Sequence, residues 1–309
     1  MDVTVDIGQA SESPVVRRFS HEAMATIFEV LAVHEDGQYA AQAAQAAFAL
    51  LDGLERELSR FLPNSDIGRV NALVAGGAAQ VGPATMECLL IARHLFDLTD
   101  GAFDISIGSG LPSLELDAER CVVGAAAAGV RLDLGGIGKG YAVDLMAELL
   151  EEWGLQRALV HGGFSSVLAL EPGAEPGGWP LSFSDPAFPG RVLSRLTVRQ
   201  AAYGASGVRK GDHIVDPRTG APARRRRGAW VAVPRPPAAR AGDGDGARLA
   251  PAAVADALTT AFMLMVTGDI EALCAANPGV EAWLLEEPGA DGHGEAVLQH
   301  LGGRGPAPA

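Results

Sequence analysis

Residues 132–144 read LDLGGIGKGYAVD, and four of these thirteen positions are glycine. Glycine lacks a Cβ, so the main chain of such a stretch can approach a ligand or another backbone closely. RLDL (131–134) has the look of a short strand leading into the glycines. GYAVDLMAELLEEWG (140–154), with apolar residues at 142, 143, 145, 146, 149 and 150, reads as a helix leading out of them. A helix N-terminus favours phosphate. Lys139 stands where a cation could meet one, and Asp133 stands where a carboxylate could accept hydrogen bonds from a ligand. The stretch is neither a Walker A loop nor the dinucleotide fingerprint G-x-G-x-x-G. A plain strand-to-helix turn with a snorkelling lysine also fits these residues.

The 309 residues carry a formal charge of −14, which argues against a nucleic-acid partner, since phosphate backbones need a basic face. The single basic run, Arg224 to Arg227, is either a candidate contact for nucleic acid or an anionic membrane, or a solvated loop. Cys88, Cys121 and Cys274 lie far apart with no C-x-x-C, which speaks against a disulfide framework or a thiolate zinc site. No apolar leader or run of membrane-spanning length is present, so a cytoplasmic protein with no integral membrane segment is expected.

Strands are expected at 26–33 and on either side of breaks in 157–170 and 194–206, and helices at 38–61, 84–101 and 254–266. Strands and helices mix without βαβ alternation, so the expected class is α+β, with mixed sheets and packed helices. Residues 1–18 read as a loose arm, 19–290 as one domain and 291–309 as a tail. The Pro-, Ala-, Gly- and Arg-rich segment 232–252 reads as a mobile insertion within the domain.

Three further stretches carry chemistry. In VADALTTAF, Asp256 and Thr260 are spaced i, i+4 on one helix face, and a carboxylate beside a hydroxyl suits Mg2+. The same spacing also fits a helix-capping aspartate and a back-bonded core threonine. In GDHIVDPRTGAP (211–222), His213 precedes a strand-like Ile-Val and a turn; it could be a base, a ligand contact or a donor that satisfies the turn. Ser206 and Gly207 lie just upstream. In TDGAFDISIG (99–108), Asp100 reads as a cap or turn acid. Asp104, ahead of an expected alternating strand, is less easily assigned.

The order of these stretches is more specific than any one of them. MAT (24–26), LSRFLPNSDIGRVN (58–71), TDGAFD (99–104), LDLGGIGKGYAVD (132–144), LVHGGFSSVLAL (159–170), SG (206–207), HIVDPRTG (213–220) and ADALTTA (255–261) together resemble the FAD:protein FMN transferase, or ApbE, family. The resemblance runs from about residue 20 to about 268. It implies an α+β fold with a central FAD cleft and Mg2+ at the flavin diphosphate. It also implies transfer of FMN from FAD to a threonine or serine hydroxyl of a partner protein, with release of AMP. By position, Gly136, Asp256 and Thr260 match the family's metal-binding residues, Gly136 through its backbone carbonyl. Met24, Phe61, Ala102, Phe103, Asp104, Asp133, Lys139 and Ile214 match positions that contact FAD. His213 matches a histidine suspected of assisting the transfer.

Several positions depart from the family pattern. The usual Met-Gly-Thr is Met24-Ala25-Thr26 here, and the usual tyrosine is Phe61, which keeps a stacking face and loses a hydroxyl. Gly138 replaces a common alanine. The segment between Ser206 and His213 is shorter than usual, and the one at 232–252 longer. No stretch resembles the family's acceptor motif, a hydroxyl residue before Gly-Ala-Thr or Ser-Ala-Thr, so action on another protein is expected. An Mg2+-dependent FAD pyrophosphatase and a non-catalytic FAD-binding protein use the same residues and stand as alternatives.

Overall fold

A computed structural model describes residues 3–5, 15–171, 173, 177–188, 190–208, 211, 214–235, 250–287 and 296–303. In chain order the elements begin with β1 (Val3–Val5), β2 (Val16–Ala23), β3 (Thr26–Val33), α1 (Gly37–Leu58), α2 (Asp66–Val70), β4 (Ala78–Gln80) and α3 (Pro83–Leu98). After a 3-10 turn (Leu111–Ser113) come β5 (Leu114–Asp117), β6 (Val122–Ala125), α4 (Gly138–Glu152), β7 (Ala158–Gly162), β8 (Ser166–Ala169) and β9 (Trp179–Ser184). The chain then runs through β10 (Val192–Val198), β11 (Ala201–Gly207), β12 (Arg226–Pro234), α5 (Pro251–Phe262), α6 (Thr267–Ala276), β13 (Glu281–Glu286) and β14 (Leu298–Gly302). This is the expected α+β class.

An eight-stranded antiparallel sheet, ordered β14-β13-β12-β11-β8-β7-β3-β2, forms the frame. Helices α4 and α5 pack on one face, against β7, β8, β11 and β12. The small sheet β1-β9-β10 supplies residues to a second core on the other face. Side chains alternate along a strand, and the central strands divide accordingly. Phe28, Val30 and Ala32 of β3 and Ala229, Val231 and Val233 of β12 enter the helical core. Leu31 of β3, and Trp230 and Ala232 of β12, enter the second core with Phe183 and Trp283. Covered on both sides, these strands read as nearly continuous apolar runs rather than clean alternations.

The helix expected over 38–61 is α1, whose first turn is capped by Asp36 Oδ1 accepting from Gln38 and Tyr39 N–H. Its alanines at 40, 43, 44 and 47 let it lie close to the core. The helix expected over 84–101 stops at Leu98; the chain then turns at Gly101, which has φ 70° and donates its N–H to Phe96 O.

Some expectations are overturned. RLDL forms no strand: Leu132 exchanges both main-chain bonds with the Asn71 amide, and Asp133 N–H donates to Ile105 O, so no ladder forms. Residues 105–108 are a turn rather than an alternating strand. Within the expected loose arm, Val3–Val5 pair with β9 and Val16–Arg18 open β2. In the expected tail, β14 pairs with β13. The expected insertion is trimmed at both ends, because 232–234 complete β12 and 251–252 open α5; residues 236–249 lie outside the described residues. The basic run is not a solvated loop throughout. Arg226 is fully buried, its guanidinium pairing with Glu286 and donating to Phe262 O, Met265 O and Thr267 Oγ1. No helix among the described residues is long and apolar enough to cross a membrane.

Candidate functional site

The glycine loop and the start of α4 meet α5 at Asp256 and Thr260. A Cβ built on Gly136 would lie 3.4 Å from Thr260 Oγ1 and 3.2 Å from the Phe103 ring, so only glycine brings the main chain to that hydroxyl without displacing a neighbour. Lys139 joins the two segments, its Nζ 3.1 Å from Gly135 O and 3.4 Å from Asp256 Oδ2. Gly140 N–H donates to the same carboxylate oxygen at 3.1 Å. Gly140 stands in the first turn of α4, where an N–H has no partner within the helix, and Asp256 supplies one.

Asp256 is 3% exposed and sits in the middle of α5, so it is not the helix cap that its sequence also allowed. Thr259 rather than Thr260 back-bonds into the helix, onto Asp256 O at 2.7 Å. That leaves the Thr260 hydroxyl facing Gly136 and Ser206, whose Oγ lies 3.5 Å away. Burial pushes the Asp256 carboxyl above the usual carboxylate range, while Lys139, the Gly140 N–H and the Ser166 hydroxyl pull it back. Ser166 Oγ is buried and, although it favours the charged carboxylate, makes no hydrogen bond of ordinary geometry.

Of the expected flavin contacts, Phe103, Asp133 and Lys139 lie at this junction. Ala102 and Phe103 are buried, and the Phe103 ring lies against Gly136. Asp133 accepts from Gly135 N–H and pairs with Arg60 Nε at 3.2 Å, and the Arg60 guanidinium lies 4.4 Å over the ring of Phe61. Phe61 is 77% exposed, an aromatic face with room for a partner. Asp104 has a local explanation as well: its oxygens accept from Ser106 N–H, Ser106 Oγ and Gly108 N–H, fixing the 104–108 turn. That turn lines an open cavity of about 540 Å3 with Asp97, Asp100, Pro217 and Arg218, so the TDGAFD and HIVDPRTG stretches share one wall system.

Two further expected contacts belong to other segments. Met24 is on the β2–β3 turn, where its N–H donates to Glu55 of α1. Both Met24 and Ala25 adopt left-handed φ, 50° and 57°. Ile214 is buried ahead of the 215–222 hairpin and accepts from Ala223 N–H. His213 lies outside the described residues. Arg60 and Ser166, which carry much of the local geometry, were not singled out from the sequence. Both stand inside motif-bearing stretches, LSRF and GFSSV, but neither has a spacing that sets it apart.

Comparisons with known proteins give the chain's family and its fold relatives. The ApbE family model matches residues 24–113 and 109–244. Over 244 residues the chain is 23% identical to an FAD:protein FMN transferase of Vibrio cholerae, covering 66% of this chain and 72% of that one. Over 253 residues it is 24% identical to the FAD:protein FMN transferase of Salmonella typhimurium, covering 68% and 71%. In fold it is similar to the apo flavinyl transferase ApbE of Pseudomonas stutzeri, with TM-score 0.77, 22% identity and coverage of 95% of this chain and 96% of that one. It is also similar to the ApbE protein of Thermotoga maritima, with TM-score 0.75, 20% identity and coverage of 93% and 97%. With the family's match spanning both the glycine loop and the β2–β3 turn, the chain belongs to the ApbE family.

Proposed function

We propose that this protein transfers FMN from FAD to a threonine or serine hydroxyl of a partner protein, with Mg2+ as cofactor and AMP as the leaving group. The observation that supports it most directly is the meeting of the Gly136 loop with Thr260 and, through Lys139 and Gly140, with Asp256. The donors are all hard oxygens and include a single carboxylate, which suits Mg2+, an ion commonly held by one or two carboxylates together with substrate phosphates. The close approach at Gly136, and a buried Ser166 hydroxyl without a well-formed hydrogen bond, also fit a site built for a further group. Asp256, Thr260 and the Gly136 carbonyl would hold the ion, which when bound neutralises diphosphate charge and stabilises departing AMP.

The chain's own residues do the rest. Lys139, 24% exposed at its side chain, presents an ammonium at the start of α4, where the helix N-terminus also favours phosphate. Phe61 offers a stacking face to the flavin, and Asp133, anchored by Gly135 and Arg60, accepts hydrogen bonds. In the transfer, the acceptor hydroxyl oxygen bonds to the FMN phosphorus, the bond from that phosphorus to AMP breaks, and AMP leaves with the electron pair. His213 takes the hydroxyl proton, a role that rests on the family resemblance alone.

Co-expression with an acceptor protein carrying the family's motif, followed by mass spectrometry, tests the reading. An FMN adduct on the acceptor hydroxyl is expected, and its absence with FAD and Mg2+ present overturns the proposal. Steady AMP release without acceptor would instead identify an FAD pyrophosphatase. His213→Ala is expected to slow transfer more than it weakens FAD binding, checked by comparing transfer rate with FAD affinity. A larger loss of affinity than of rate would make His213 a ligand contact.

A further inference from the structure

We propose that Asp144 is a positioning residue for the cation and diphosphate site: it holds α5 in register with the glycine loop without touching either group. The inference rests on the reading above and assigns a task to a residue that reading leaves unused.

Asp144 lies on α4 and is 2% exposed. Its Oδ1 accepts from Ala252 N–H at 2.9 Å and its Oδ2 from Ala253 N–H at 2.8 Å. These donors belong to the first turn of α5, which has no side-chain cap of its own, since its N-cap residue is Ala250 and Pro251 follows. First-turn N–H groups need acceptors, and a carboxylate there is favoured by both charge-assisted hydrogen bonding and the helix dipole. A neighbouring helix therefore supplies the cap that α5 lacks.

The consequence is geometric. Gly140 and Asp144 are i, i+4 and share one face of α4. At Gly140 the two helices touch main chain to main chain: a Cβ there would overlap Ala252 O. Its N–H holds Asp256 Oδ2, as does Lys139. The face of α4 formed by 139, 140 and 144 thus grips α5 at 252, 253 and 256, and the glycine loop runs directly into that face. Asp144 fixes where α5 begins, and one turn later α5 delivers Asp256. Reacting groups tolerate little displacement, and an error of about 1 Å can cost roughly a hundredfold in rate. Groups that orient metal ligands from outside the coordination sphere are commonly worth about 10–100-fold in metal affinity.

The test uses the full chain with three substitutions: Asp144→Asn, Asp144→Ala, and Asp144→Ala combined with Ala250→Ser. Asp144→Asn keeps the volume and one acceptor oxygen, so it carries the test if Asp144→Ala fails to fold. Ala250→Ser gives α5 a cap of its own on the same two N–H groups without tying it to α4. Mn2+ affinity is read from the EPR signal of the free ion with FAD present, alongside the thermal midpoint. Both single variants are expected to bind Mn2+ about 10–100-fold more weakly, and the double variant to recover the thermal midpoint but not the affinity. Wild-type Mn2+ affinity in the single variants, or affinity restored with stability in the double one, would reduce Asp144 to a stability role. Failure of the wild-type protein itself to bind Mn2+ would overturn the metal reading and the inference with it, an outcome distinct from the other two.

Discussion

Asp256 is the residue on which the site turns. Its carboxyl is buried, raised by desolvation, and held by one ammonium and one N–H. Asp256→Ala is expected to abolish measurable Mg2+ binding by calorimetry while leaving a folded protein, because it removes the only carboxylate of the proposed donor set. Retained Mg2+ affinity would refute that assignment. At Ala25 the expectation is of the opposite sign. A non-glycine residue at φ 57° is strained by its Cβ. Ala25→Gly is therefore expected to stabilise the fold by about 1 kcal/mol, measured by urea unfolding. The i, i+4 spacing of Asp256 and Thr260 was legible in the sequence because helix geometry converts spacing into adjacency. The role of Ser166 was not, because it depends on which strand β8 carries it beneath α5, a tertiary fact. Asp104 was hard to assign because the turn that explains it looks like an alternating strand on paper.

Among the elements, α5 is gripped at both ends, by Asp144 at its start and by Arg226 at its close. Charges of these signs at these ends complement the helix dipole. Arg226→Ala removes charge-assisted bonds to two buried carbonyls and is expected to destabilise the protein by about 3 kcal/mol in urea unfolding. The sequence offers this run as a contact for nucleic acid or membrane or as a solvated loop, because nothing in four consecutive arginines says which one turns inward at the start of a strand. RLDL failed as a strand for a related reason. Its residues have the right character, but its main-chain groups bond to Asn71 and Ile105 instead of a ladder.

On β3, Glu29 carries a pH dependence. Burial alone would raise its carboxyl, but two bonds from Arg18, at 2.6 and 2.7 Å, and the contact with His161 at 2.7 Å outweigh it and hold it below the usual value. A depressed carboxyl contributes stability above its unfolded pKa and loses that contribution as pH falls through the folded one. The stability advantage of the wild-type protein over Glu29→Gln is therefore expected at neutral pH and should shrink as pH drops below about 4.5, read from urea midpoints across pH.

For the molecule as a whole, the sheet works as a platform. One face carries α4 and α5 and so the glycine loop and Asp256, while the other is sealed by an aromatic core around Trp230, Phe183 and Trp283. The class was legible from the mix of elements, and the continuous apolar strands are explained by burial on both sides. The strand order was not legible, since pairing between segments as distant as β3 and β7 leaves no local trace in the chain. Ligands that bind only the folded protein stabilise it by mass action, by about 2.7 kcal/mol at a hundred times their dissociation constant. FAD with Mg2+ is thus expected to raise the thermal midpoint, and FAD with a chelator to raise it less.

The most direct measurement is a crystal structure with FAD and Mn2+, using the anomalous signal to locate the ion. A single peak within about 2–2.5 Å of an Asp256 carboxylate oxygen, the Thr260 hydroxyl and the Gly136 carbonyl, and in contact with the FAD diphosphate, is the expected result. Ordered FAD with no ion between the glycine loop and α5, or with the ion held by other residues, would contradict it.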